Sequence, residues 1–382
     1  MKILKTSNLI KLQFLLCLII VITIFTDKAN LTSLCFSCTF IIDILLIIRK
    51  VFIEGIDKES NRELFLIYLI TTIVFIGISW NRDINLLYFR KFIIFITSLL
   101  FLFVLCRVKV DERLIKSIIY ITNVIGLSFI IAFFIFGKNE VGLLTLKFSN
   151  SNLLGMWVSH TAIYSLIGMK ILNSKKSYII GSFIFLGDLF ILLKSESRTS
   201  LFVVVMFFII YFLININFIK RVSKSVITIL VMFPLIFSLI YMKILNSKFL
   251  NIFSFLEGEG KSLTSRESVW KFALKVIKEH FVFGDYYGIS HGTGMSQMHN
   301  SHLDILASYG VIVFILVMYL IIKNLFKIRT NRSKISNLGI YGFLSILLIG
   351  IGEAALFSGG LGIYILSFGY LILARFEGEK RE

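Results

Sequence analysis

The chain has 382 residues, of which 57% are hydrophobic and 16% charged, and its formal net charge is +18. A soluble domain carries about a quarter charged residues, so this composition excludes an ordinary water-soluble globule. The surplus of Lys and Arg points to the basic loops of a membrane protein rather than to a nucleic-acid partner.

Apolar runs long enough to cross about 30 Å of hydrocarbon as helices recur along the sequence. In order they cover 9–26, 31–48, 64–80, 88–106, 114–136, 150–172, 177–193, 199–219, 225–243, 301–322, 336–352 and 354–374. Stretches such as 202–212 (FVVVMFFIIYF) are apolar on every face, which suits a lipid-embedded helix and not the alternating strands of a membrane barrel. The first run meets no small-residue cleavage site, so it reads as a first span and not a removed leader. Cys17, Cys35, Cys38 and Cys106 lie within the runs. The Cys35-x-x-Cys38 pair has no His or second pair beside it, so all four read as small core side chains. The expected fold is all-α: one polytopic integral membrane domain, 1–382, with about twelve transmembrane helices.

The connections alternate in charge. With the N-terminus inside, the cytoplasmic segments hold 25 Lys and Arg, and the short outer connections hold 8. That bias places both termini in the cytoplasm and the longest connection, 244–300, outside the cell between spans nine and ten. This loop carries its own helix signal. Thr264 followed three residues later by Glu267 reads as a capping box, and Val269, Phe272, Ala273, Val276 and Ile277 then recur at helical spacing. Lys271, Lys275 and Lys278 give that helix a basic side, and Trp270 an aromatic anchor, as in a helix lying on a membrane surface.

Candidate chemistry gathers at the outer level. Arg266 falls in the first turn of the loop helix, where the dipole and free N–H groups also favour anions. A guanidinium grips phosphate oxygens with paired hydrogen bonds. Arg198, in SESRTS (195–200), opens the eighth span, with Glu196 two residues back as its candidate partner. His299 and His302 belong to HNSHLD at the start of the tenth span, with Ser301 and Asp304 resembling a helix start. His299 is expected just above the membrane plane, where imidazole can take a proton from a hydroxyl or donate to a phosphate. His160, inside a span, reads as a core histidine, and His280 and His291 as solvent-facing. Metal-ligand clusters, phosphate loops and GxSxG motifs are absent.

The stretch 264–288 (TSRESVWKFALKVIKEHFVFGDYYG) followed by 299–316 (HNSHLDILASYGVIVFIL) resembles the large-loop signature of the O-antigen ligase and Wzy-type polysaccharide polymerase superfamily. Arg266, Trp270, Gly284, His299, Asn300, Leu303 and Gly310 match it in order. SRTS (197–200) and SNSNLLG (149–155) resemble two earlier parts of the pattern. Two positions depart from it: Tyr286 replaces a second turn glycine, and His302 stands where the family has an aromatic, which leaves two candidate histidines.

The resemblance implies a metal-independent, inverting glycosyltransferase without a cofactor. Its donor would be an undecaprenyl-pyrophosphate-linked oligosaccharide at the outer face of a bacterial plasma membrane, and it would work beside a flippase and a chain-length regulator. Arg198 and Arg266 would hold the departing pyrophosphate, and His299 would act on the acceptor hydroxyl. His302, Asn300, Trp270, Lys271 and Glu196 are the candidate substrate-binding residues. A composition rich in Ile, Lys, Asn and Phe, as an AT-rich genome encodes, favours a polymerase of capsular or exopolysaccharide repeats over a ligase to lipid A. A flippase or transporter is the alternative of another class, with scarce intramembrane charge (Asp43, Asp188, Glu353) and no internal repeat against it.

Overall fold

A computed structural model of the chain describes residues 5–55, 57–80, 86–137, 144–216, 222–245, 264–285, 299–329, 333–353 and 363–376. Every regular element among them is helical. The helices are α1 (Thr6–Phe25), α2 (Ala29–Ile48), α3 (Lys58–Trp80), α4 (Leu86–Leu105), α5 (Glu112–Phe136), α6 (Ser151–Leu172) and α7 (Lys175–Ser195). They continue with α8 (Arg198–Asn215), α9 (Lys224–Leu245), α10 (Thr264–Glu279), α11 (Ser301–Ile328), α12 (Lys334–Ile349) and α13 (Ile363–Ala374). A π-helical turn, Arg49–Ile53, prolongs α2. Helices α1, α2, α3, α5, α7, α8, α9 and α11 are long and apolar enough to cross a membrane; the described apolar part of α4, α12 and α13 are shorter. The chain is a polytopic membrane protein.

The bundle is apolar outside and partly polar within. Ile131, Phe134, Phe183, Leu186, Phe202 and Phe212 stand exposed on α5, α7 and α8, as side chains solvated by lipid do. Helix α13 is buried at every residue, and α6 at most of its length. Lipid provides little hydrophobic drive for helix association, so close packing and interhelical hydrogen bonds carry it. Asp43 on α2 takes hydrogen bonds from Tyr364 on α13 at 2.7 Å and from Gln13 on α1. Thr161 on α6 donates to Asp188 on α7 at 2.7 Å. His160 lies fully buried between Ser367 and Tyr370 at 3.2 and 3.4 Å, the core histidine expected. Gly339 lets α12 approach the α13 backbone, where an added Cβ would fall 2.5 Å from the Ala374 nitrogen.

The two ends of the bundle are fixed by their cross-links. At one end, Thr6 and Arg49 meet Glu54, Arg107 and Lys323 meet Glu63, and Lys334 reaches the Asn215 carbonyl. The other end holds the α1–α2 turn, the starts of α6 and α8, and the segment entering α11. Residues in the left-handed backbone region gather there. Of the non-glycine residues so recorded, Asp27, Leu146, Lys147, Glu196 and His299 sit at that end, and only Asn173 lies elsewhere, as the C-cap of α6. Each costs about 1–3 kcal/mol, a strain that proteins hold chiefly at functional sites.

Candidate functional site

Helix α11 explains how the site is set into the bundle. Its first nine residues and the remainder are separated by Gly310, at φ 77° and ψ 176°. A straight helix of 28 residues would be about 42 Å long. Yet Asn300, at its start, donates to the Pro234 carbonyl at 3.1 Å, and Arg329, just past its end, donates to the Val222 carbonyl. Val222 lies two residues before α9 and Pro234 only about 15 Å into it, a much shorter span, so α11 must bend, and Gly310 is where it does. The loop segment after α10 locks the bend. Asp285 N–H donates to the Ala307 carbonyl at 2.7 Å and Val311 N–H to the Phe281 carbonyl at 2.9 Å. Gly284, also left-handed at φ 76°, packs there: its added Cβ would lie 2.6 Å from the Gly310 nitrogen. The two glycines matched in the sequence are therefore one contact.

Asn300 caps α11, its Oδ1 accepting from the His302 and Leu303 N–H groups at 3.0 and 3.1 Å. It is fully buried, and its Nδ2 holds the Pro234 carbonyl. Pro234 is ten residues into α9, about 15 Å along its axis. His299, one residue earlier, is therefore level with the middle turns of α9. Pro234 lacks an N–H and so leaves the Leu230 carbonyl, one turn earlier, without its helical donor; the carbonyls that meet Asn300 and His302 are those of Pro234 and Val231.

The two histidines differ sharply. His302 is 1% exposed, its Nε2 is 2.7 Å from the Val231 carbonyl, and its ring meets Phe314 edge-on. A nitrogen facing a carbonyl must carry its proton, so His302 is tied into the packing beside the proline. The side chain of His299 is a quarter exposed, and its Nδ1 lies 3.2 Å from Oε2 of Glu353. Glu353 itself is nearly buried. It follows α12, whose end is fastened to the start of α11: Ser301 N–H donates to the Gly350 carbonyl at 2.9 Å, and its hydroxyl to the Glu353 carbonyl at 3.2 Å. The carboxylate was visible in the sequence only as a rare charge within an apolar run. Nothing in the spacing linked it to a histidine 54 residues away.

Arg198 opens α8 at the same end. The α7–α8 corner turns through Glu196 at φ 51°, whose carbonyl accepts the Arg198 N–H at 2.9 Å. Ser195 and Ser197 are buried in the corner, while Glu196 and Arg198 are exposed. Ser197 fills the space left by Gly155 of α6, where a Cβ would overlap its hydroxyl. Asn150 caps α6, accepting from Leu153 N–H at 2.7 Å. The SNSNLLG and SRTS segments are thus in contact. Helices α8 and α12 pack antiparallel, with Lys334 reaching Asn215 at their far ends. Their lengths, 18 and 16 residues, are about 27 and 24 Å. This brings the start of α8 level with the Gly350–Glu353 end of α12, and so with His299.

Helix α10 begins at Thr264, as expected. Its apolar side does not lie on the membrane surface. Val269, Trp270, Ala273 and Val276 are buried against Tyr241 and Met242 of α9 and Leu303 and Ala307 of α11. Trp270 meets the Tyr241 ring edge-on at 5.7 Å, so the indole fastens the loop helix to the bundle, because that contact buries more of it than a lipid interface would. Lys271 stays exposed on the other side. The backbone of Arg266 lies one turn before Trp270; its side chain, that of Thr264, and His291 fall outside the described residues. The described site thus brings together His299, Glu353, Asn300 and Ser301. Arg198 and the Arg266 backbone stand at the same end.

Comparison with known families agrees with this segment. A family model described as O-antigen ligase matches residues 180–318, from within α7 into α11, including Arg198, Arg266 and His299. The resemblance read from the sequence holds over that stretch. No curated protein matches the chain.

Proposed function

We propose that the chain is a polysaccharide polymerase that joins oligosaccharide repeat units carried on undecaprenyl pyrophosphate, at the outer face of a bacterial plasma membrane. The charge bias of its connections supports an outward-facing His299 end with cytoplasmic termini. The observation that carries the reading is the His299–Glu353 pair, 3.2 Å apart, with His299 inside the segment 180–318 that matches the O-antigen ligase model. A carboxylate on Nδ1 keeps the proton there and presents Nε2 as the base, the arrangement that orients catalytic histidines.

In this mechanism, Nε2 of His299 takes the proton of the acceptor hydroxyl. The acceptor oxygen bonds to the anomeric carbon as that carbon's bond to the pyrophosphate oxygen breaks on the opposite face, and configuration inverts. The proton remains on His299, where Glu353 stabilises the imidazolium. The departing polyprenyl pyrophosphate leaves with its negative charge, which Arg198 and Arg266 hold. Such electrostatic stabilisation is commonly the largest catalytic contribution. Lys271 adds positive charge on the exposed side of α10, and Asn300 fixes the base from below.

A second reading differs only in acceptor. The matched family is described by ligase activity, which favours delivery of a finished chain to another molecule. Purified protein supplied with lipid-linked repeats alone separates the two: a ladder of lengthening products supports the polymerase. Product only after a separate acceptor is added would replace it with the ligase.

A further inference from the structure

At the end of the bundle away from His299, a cavity of about 530 Å³ opens between the end of α2, the start of α3, and the ends of α4, α11 and α13. Four cations line it, Lys50, Arg107, Lys327 and Arg375, together with Glu54 and Asp57. They come from five separate parts of the chain, so the fold gathers this charge where no single helix carries it. Arg107 is well buried, with its guanidinium at 2.5 Å from Glu63 and 2.7 Å from the Ser60 hydroxyl and stacked on Phe103 at 3.9 Å. Lys323 also pairs with Glu63 at 3.1 Å, and Arg49 and Lys50 share Glu54 at 3.2 and 3.1 Å.

The carboxylates are in their ionised forms. Burial pushes the Glu54 carboxyl up, but hydrogen bonds from Thr6, Lys50 and Arg49 outweigh it and hold the group below its usual range. The Ser60 hydroxyl and N–H, then the Lys327 and Arg107 cations, hold Asp57 low as well. The lining itself carries four cations (Lys50, Arg107, Lys327, Arg375) and two carboxylates (Glu54, Asp57). The described lining is thus more basic than acidic, at the end of an apolar bundle. Basic pockets between helix ends at a membrane surface are suited to phosphate-bearing lipid heads, and guanidinium groups to paired bonds with phosphate oxygens.

We propose that this cavity binds a phosphate group, brought there by an anionic phospholipid, at a site separate from the transfer chemistry. The test is binding of the purified full chain to phosphatidylglycerol or phosphatidylcholine nanodiscs, with inorganic phosphate as the second probe. The variant is Lys327→Gln with Arg375→Gln; Lys327→Gln alone, at an exposed position, serves if the pair lowers the melting temperature. Each cation near an anionic surface is worth about fivefold in affinity, so the pair should lose roughly 25-fold for phosphatidylglycerol and nothing for phosphatidylcholine. Competition by inorganic phosphate would show that the phosphate alone is recognised; its absence, with the loss intact, would show that the lipid is needed. A wild-type chain without preference for phosphatidylglycerol, or a variant with unchanged preference, would overturn the proposal.

Discussion

Changing Glu353 to Gln removes a charge while keeping shape, and it probes the side-chain contact that holds His299. The carboxylate lies 3.2 Å from Nδ1 of His299 and is nearly buried, so water replaces it poorly. A hydrogen bond to a charged partner contributes about 1.5–3 kcal/mol, and the imidazolium formed during transfer is that partner. Losing it should slow transfer roughly 10- to 150-fold. His299→Ala should cost more, about 10²–10⁴-fold, the range for a general base. Because Glu353 acts through His299, the double variant should be no slower than His299→Ala alone. The assay is single-turnover bond formation by purified protein, with melting temperature as the control for folding. A Glu353→Gln rate within about threefold of wild type, or losses that multiply in the double variant, would refute the positioning role.

Other substitutions separate chemistry from packing. Arg266→Ala should abolish product while leaving membrane abundance normal; normal product length would remove the residue from the site. His302→Ala should act on stability instead, since it strips the donor from the Val231 carbonyl. Losing a buried hydrogen bond costs about 0.5–1.5 kcal/mol beside the space left by the ring, read as a lower melting temperature, and residual activity should exceed that of His299→Ala. Gly310→Ala puts a Cβ into the Val282 carbonyl at a left-handed position. It should lower the yield of folded protein, and wild-type yield and melting temperature would show that the bend tolerates a side chain.

Most helices were legible because lipid imposes a simple rule: a run of about 20 apolar residues must be helical. The helix boundaries moved where polar ends found partners. Helix α11 runs to Ile328, beyond the expected 322, because Lys323 and Asn324 bond Glu63 from its last turns. Helix α10 was legible from Thr264 and its apolar spacing, but its resting place was not. A basic amphipathic helix can cover a membrane surface or a groove between helices, and only the long-range contact of Trp270 with Tyr241 decides. Arg198 and His299 could be singled out as rare polar groups at helix starts. Glu353 could not be joined to His299, because their meeting depends on the bend at Gly310 and the Ser301–Gly350 bond, both products of tertiary packing.

In the proposed mechanism, His299 and two arginines drive displacement of a polyprenyl pyrophosphate by a sugar hydroxyl. Counting products in proteoliposomes tests it most directly, using the purified chain and an undecaprenyl-pyrophosphate-linked repeat. Each new glycosidic bond should be matched by one released undecaprenyl pyrophosphate, with neither product in the His299→Ala variant. Intact donor moved across the bilayer without bond formation, or equal release by the variant, would contradict the account.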